Sequence, residues 1–94
     1  MHPQTFRKRP VEIQAVRWTG ENLTEVHEFT GEGKFAILAE IDRMVCGNPD
    51  CTAELFVAAN RVWMAIETGE WIIQDAKGFY PCKPDIFAAT YEAV

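Results

Sequence analysis

The segment from Thr68 to Val94 constrains the fold most, because its turn and strand signals follow one another in an order that few architectures accommodate. Thr68-Gly69-Glu70 reads as a turn, and Trp71-Ile72-Ile73 is a short apolar, β-favouring run suited to a central strand. Asp75-Ala76-Lys77-Gly78 reads as a second turn in which Gly78 is free to take positive φ. Phe79-Tyr80 is then the returning strand. Pro81, having no N–H for the ladder, must end that strand or hold it at a sheet edge. Lys83-Pro84-Asp85 looks like a helix entrance, with Pro84 in the first helical position and Asp85 complementing the helix dipole.

The segment before it predicts a second hairpin. Ala53–Ala59 and Val62–Glu67 are strand-like runs flanking Asn60-Arg61, a tight turn in which Asn60 tolerates positive φ. Parity places Leu55, Val57, Val62, Met64 and Ile66 on one face, and these are expected to be buried together with Trp71 and Ile73. Phe56, Trp63, Glu54 and Glu67 share the other face. An aromatic patch rimmed by charge is either covered by another element or left open for a partner.

Toward the N-terminus, Val11, Ile13 and Ala15 alternate with Glu12 and Gln14 as in a half-buried strand, while Val16 and Trp18 break the parity. That break predicts a bulge or two covered faces. Asn22 is placed to cap a helix over 22–30, with Glu25 closing a capping box, Leu23, Val26 and Phe29 forming the apolar stripe and Gly31 stopping it. His27 lies beside that stripe with no second His or paired carboxylate spaced to work with it, so a surface or core-edge role is expected. Lys34–Val45 is ambiguous between strand and helix, and its Phe35-Ala-Ile-Leu start favours strand.

Cys46-Gly-Asn-Pro-Asp-Cys51 is a loop made of turn formers. Its cysteines with Cys82 offer only three thiolates and two distant histidines where a structural zinc needs four ligands, so Cys46, Cys51 and Cys82 are expected to be free thiols and no metal or cofactor is assigned. Nucleophilic catalysis by a cysteine needs a base and an orienting group, neither of which the spacing supplies, and no catalytic residue is assigned.

With 94 residues the chain is expected to make one domain over 1–94, residues 1–8 frayed, with six Phe, three Trp and two Tyr for its core. No window reaches the ~18 apolar residues of a membrane span, and no apolar run follows the basic start; a cytoplasmic location is the expectation. The net charge of −5 works against nucleic-acid binding. Arg7-Lys8-Arg9 is the one basic cluster, and so short a block reads as a solvated lead-in rather than a phosphate contact.

The opening Phe6-Arg-Lys-Arg-Pro-Val-Glu-Ile-Gln-Ala-Val-Arg-Trp-Thr-Gly-Glu-Asn22, the later Gly69-Glu-Trp-Ile-Ile and the tail Gly78-Phe-Tyr-Pro-Cys-Lys-Pro-Asp-Ile-Phe-Ala-Ala-Thr-Tyr-Glu92 resemble a family of small phage and prophage proteins. Members of that family begin with an Arg-Lys-Pro-Val strand. They end with a Gly-Asp-Tyr-Ile-Ile turn-strand and a Tyr-Pro-Cys-Lys-Pro-Asp-Ile-Phe tail. About half the chain is covered. The chain departs at Glu67–Trp71, where the family more often has Pro-Gly-Asp-Tyr or Val-Gly-Asp-Tyr, and throughout the middle. The resemblance implies a bacteriophage accessory protein acting in the host cytoplasm and no established enzyme activity.

The expected architecture is α+β: an antiparallel sheet of four to five strands, a helix over about 22–30 on one face and a short C-terminal helix over about 84–90, with Tyr91–Val94 extended as an edge strand. The expected function is non-enzymatic binding of a host protein through Phe56, Arg61 and Trp63, since Trp and Arg are over-represented at binding hot spots. The competing reading of that face is burial beneath the N-terminal helix or the C-terminal tail. A second copy of the chain is a further candidate partner. Alternatives of other classes are a small nucleotide- or nucleic-acid-binding or processing domain, which needs a pocket with convergent polar groups, and a minor virion or assembly component.

Overall fold

The computed structural model describes residues 2–7, 9–45 and 48–94; Lys8 of the basic cluster and Cys46 of the cysteine loop lie outside the described residues. Along the chain run β1 (Gln14–Arg17), α1 (Leu23–Thr30), β2 (Phe35–Ile37), α2 (Glu40–Val45), β3 (Cys51–Val57), β4 (Val62–Glu67), β5 (Trp71–Asp75), β6 (Gly78–Cys82) and α3 (Pro84–Thr90). The α+β class holds, but the strands form two antiparallel sheets of three, in the orders β1-β5-β6 and β2-β3-β4, rather than one sheet of four to five. The division falls at Thr68–Glu70, where the chain leaves the end of β4 and starts β5 as the centre of a new sheet.

Trp18 joins the sheets. Its backbone N–H donates to Glu70 O at 2.9 Å, its C=O accepts from Gly69 N–H at 2.6 Å, and its indole Nε1 donates to Thr52 Oγ1 at 2.9 Å. The ring, 1% exposed, packs edge-on against Phe35 at 5.0 Å in a core with Val26, Ala53, Leu55, Ile66, Ile72 and Phe79. Val16, Leu23 and Phe29 pack at its edge, and Phe29 meets Phe79 at 5.3 Å. Aromatic pairs in this geometry add about 0.5–1.5 kcal/mol each beyond area burial.

The β1 ladder is regular from Gln14↔Gln74 to Arg17↔Trp71, so no bulge accounts for the parity break, and Ala15 and Val16 on opposite faces are each half-buried. Val16 packs on the core and Ala15 lines a groove on the opposite side. The strand is shorter than its pattern suggested, and Val11 is exposed. Helix α1 buries Val26 and Thr30 as its periodicity requires. Asn22, however, forms no side-chain cap: its Oδ1 accepts from Thr19 N–H and Oγ1–H, and its Nδ2 donates to Arg17 O and to Glu25 Oε1 at 2.7 Å. Glu25 therefore meets the Asn22 side chain instead of its backbone, and both stabilise the Thr19–Asn22 turn. His27 Nε2 lies 3.0 Å from Phe35 O, bracing α1 against β2.

Residues 34–45, expected to be strand, divide. Phe35–Ile37 pairs with β3, then Leu38 is buried and Ala39 O accepts from Asp42 and Arg43 N–H to start α2. Glu40 and Asp42 in the first turn favour helix there. In the β5–β6 hairpin Pro81 of β6, an edge strand, pairs with Ile72, and a missing N–H is tolerated there. Pro84 occupies the start of α3. Tyr91–Val94 pairs with no strand.

Candidate functional site

The expected binding face is built by the β3–β4 hairpin. Its loop has four residues, Ala58–Arg61, instead of two: Asn60 N–H donates to Val57 O, Arg61 N–H donates to Ala58 O, and the positive φ of 55° belongs to Arg61, not Asn60. Because two and four are both even, the parity survives and the register runs Leu55↔Met64, Phe56↔Trp63 and Val57↔Val62. Phe56 and Trp63 are direct cross-strand partners with ring centroids 5.6 Å apart. Phe56 is half-buried, Arg61 exposed and Trp63 46% exposed, so neither α1 nor the C-terminal tail covers the indole.

The opposite face is only partly core. Leu55, Val57, Ile66 and Ile73 are buried, whereas Val62 (44%) and Met64 (41%) are exposed. Their parity is correct, but β4 is the outer strand and its first four residues overhang the core. Trp71, expected in that core, is half-buried elsewhere: its indole stacks on Phe87 of α3 at 4.1 Å. Ile73 is buried outside the main cluster.

That second aromatic assembly was not anticipated. The Arg17 guanidinium lies 6.0 Å from the Trp71 ring centre, Phe87 touches Tyr91 at 5.1 Å, and Tyr91 Oη is 3.4 Å from Tyr80 Oη. Trp71, Tyr80, Phe87 and Tyr91, together with residues 9–13, border an open groove of about 910 Å³. Burial, then the Tyr91 hydroxyl, push the Tyr80 phenol well above its ordinary range. The only sequence signal was the aromatic content of the tail, which contains Tyr80, Phe87 and Tyr91.

Beside it, Lys83 Nζ reaches Glu67 Oε1 at 3.1 Å and Glu70 Oε2 at 3.6 Å. Glu70 is 5% exposed and also accepts the Glu67 N–H, while Asn48 Nδ2 donates to Glu67 Oε1 at 2.8 Å. The hydrogen bond to Glu67 raises the Lys83 pKa, and burial followed by the charges of Glu70 and Asp85 raises that of Cys82. A thiol held protonated is a poor nucleophile. Among the described residues no three His, Cys, Asp or Glu side chains converge as a metal site would require. No described helix is long and apolar enough to cross a membrane.

No protein family, curated protein or solved structure matches this chain. The C-terminal segment supplies Tyr80, Lys83 and Phe87, each occupied in holding α3 and the sheet ends together. On the hairpin face Glu67 shares that task through Lys83, whereas Phe56 and Trp63 pack on each other.

Proposed function

We propose that this chain is a bacteriophage accessory protein that binds and modulates a host protein in the host cytoplasm, without chemistry of its own. The carrying observation is the Phe56–Trp63 pair: two large aromatics in contact, on the face away from the core, with the indole 46% exposed and Arg61 at the adjoining loop. An aromatic anchor beside an arginine is the composition of a protein-binding hot spot. The −5 net charge supports a protein partner over nucleic acid.

The test is capture of host proteins from bacterial lysate by the tagged chain, in parallel with Trp63→Ala. A partner retained by the wild type and lost by the variant, with melting temperature nearly unchanged, supports the proposal. A large loss of stability in the variant assigns Trp63 to the fold and removes the surface from consideration.

A further inference from the structure

Among the described residues strand β4 is hydrogen-bonded to β3 along one edge only. Alternate N–H and C=O groups on its other edge face outward, a template for one more strand. Soluble proteins ordinarily blunt such edges with proline, an inward-pointing charge or a bulge. Val62-Trp63-Met64-Ala65 has none of these; all four residues are apolar and exposed, and the one irregularity of the β3–β4 ladder lies at its far end, between Cys51 and Ala53.

We propose that β4 pairs antiparallel with β4 of a second copy about a two-fold axis through Met64, joining two three-stranded sheets into one of six. An axis normal to the sheet leaves every side chain on its own face, so opposed residues share parity and the axis must pass through a residue, not between two. With Met64 on the axis, Trp63 opposes Ala65, large against small. Val62 opposes Ile66, whose side chain is already fully buried in its own core, and Arg61 opposes Glu67, cation against anion, twice per dimer. Cross-strand pairs of these kinds are the favourable ones.

Neighbouring registers lose this match. An axis at Trp63 sets Arg61 against Ala65 and Ile66 against the loop residue Asn60. An axis at Ala65 sets Trp63 against Glu67 and Val62 against Thr68 of the turn. The Met64 register also explains why Val62 and Met64 carry core parity yet lie exposed: the second copy continues the aliphatic layer over them. Glu67 already accepts from Lys83 and Asn48, and an ionised carboxylate has capacity for further donors. One strand pair buries less than the ~1,200 Å² of a standard interface, so the dimer is concentration-dependent. It requires no host protein and stands or falls apart from the host-binding proposal.

Sedimentation equilibrium of the purified full chain tests it. The mass is expected to rise with concentration from the 10.7 kDa of one chain toward twice that value, and Arg61→Glu to weaken association roughly tenfold. Mild oxidation of Met64→Cys is expected to give a disulfide-linked dimer well above the wild-type background. A residue on the axis lies opposite itself, about 4.5–5.5 Å away between Cα atoms. Ala65→Cys, facing Trp63, is expected to stay at background. A single-chain mass at every concentration, or cross-linking through Ala65→Cys and not Met64→Cys, overturns the proposal. All three substitutions are at exposed positions, and circular dichroism confirms folding before either measurement.

Discussion

The indole of Trp71 and the ring of Phe87 lie 4.1 Å apart with planes 6° from parallel. Helix α3 has no buried residue, so this stack, extended by Tyr91, is its main apolar attachment to β5. The helix is thus a dependent element whose apolar attachment rests on this stack, with the Lys83 ion pairs at its start.

Phe87→Ala is accordingly expected to release α3 while leaving the central core intact. Amide exchange should accelerate across residues 84–90, with little change at Leu55 or Ile72. Uniform loss of protection throughout the chain would show that α3 is integral to the core.

Ile66 is fully buried at the junction of the two sheets, opposite Ala53. Truncation to Ala leaves a cavity, at an expected cost of about 2–5 kcal/mol. Urea denaturation measures this. Met64→Ala, one step toward the exposed end on the same face, should cost far less.

Gly78 closes the β5–β6 turn at φ 126°, and a Cβ there would lie 3.5 Å from the Ala58 Cβ. The space is adequate but the backbone conformation is not. Gly78→Ala is expected to destabilise by roughly 1 kcal/mol or more, read from the denaturation midpoint.

Stability is expected to decline in alkaline solution. Cys82, Tyr80 and Lys83 all have pKa values raised from ordinary values of 9.0, 10.0 and 10.5, by burial for the first two and by the Glu67 hydrogen bond for Lys83. A raised folded pKa contributes stability fully present below the unfolded value and lost as pH rises through the folded one. Denaturation midpoints should therefore be unaffected by these groups near neutrality and fall from about pH 9 upward. Tyr80→Phe should flatten the part of that decline due to the phenol. At neutral pH the Cys82 thiol should react slowly with alkylating reagents.

Local chemistry alone determined several elements: Pro84 the start of α3, Pro81 the edge position of β6, Gly31 the end of α1, and hairpin parity the Phe56–Trp63 pairing. These are set by φ restriction, a missing donor or the two-residue period of a strand, all properties of a few neighbouring residues. Only the tertiary structure decided how the strands are shared between two sheets, why Val62 and Met64 overhang the core while Trp71 leaves it for Phe87, and how Lys83 finds Glu67 and Glu70. Strand order depends on contacts between residues far apart in the chain, and periodicity says which residues share a face without saying whether anything covers it.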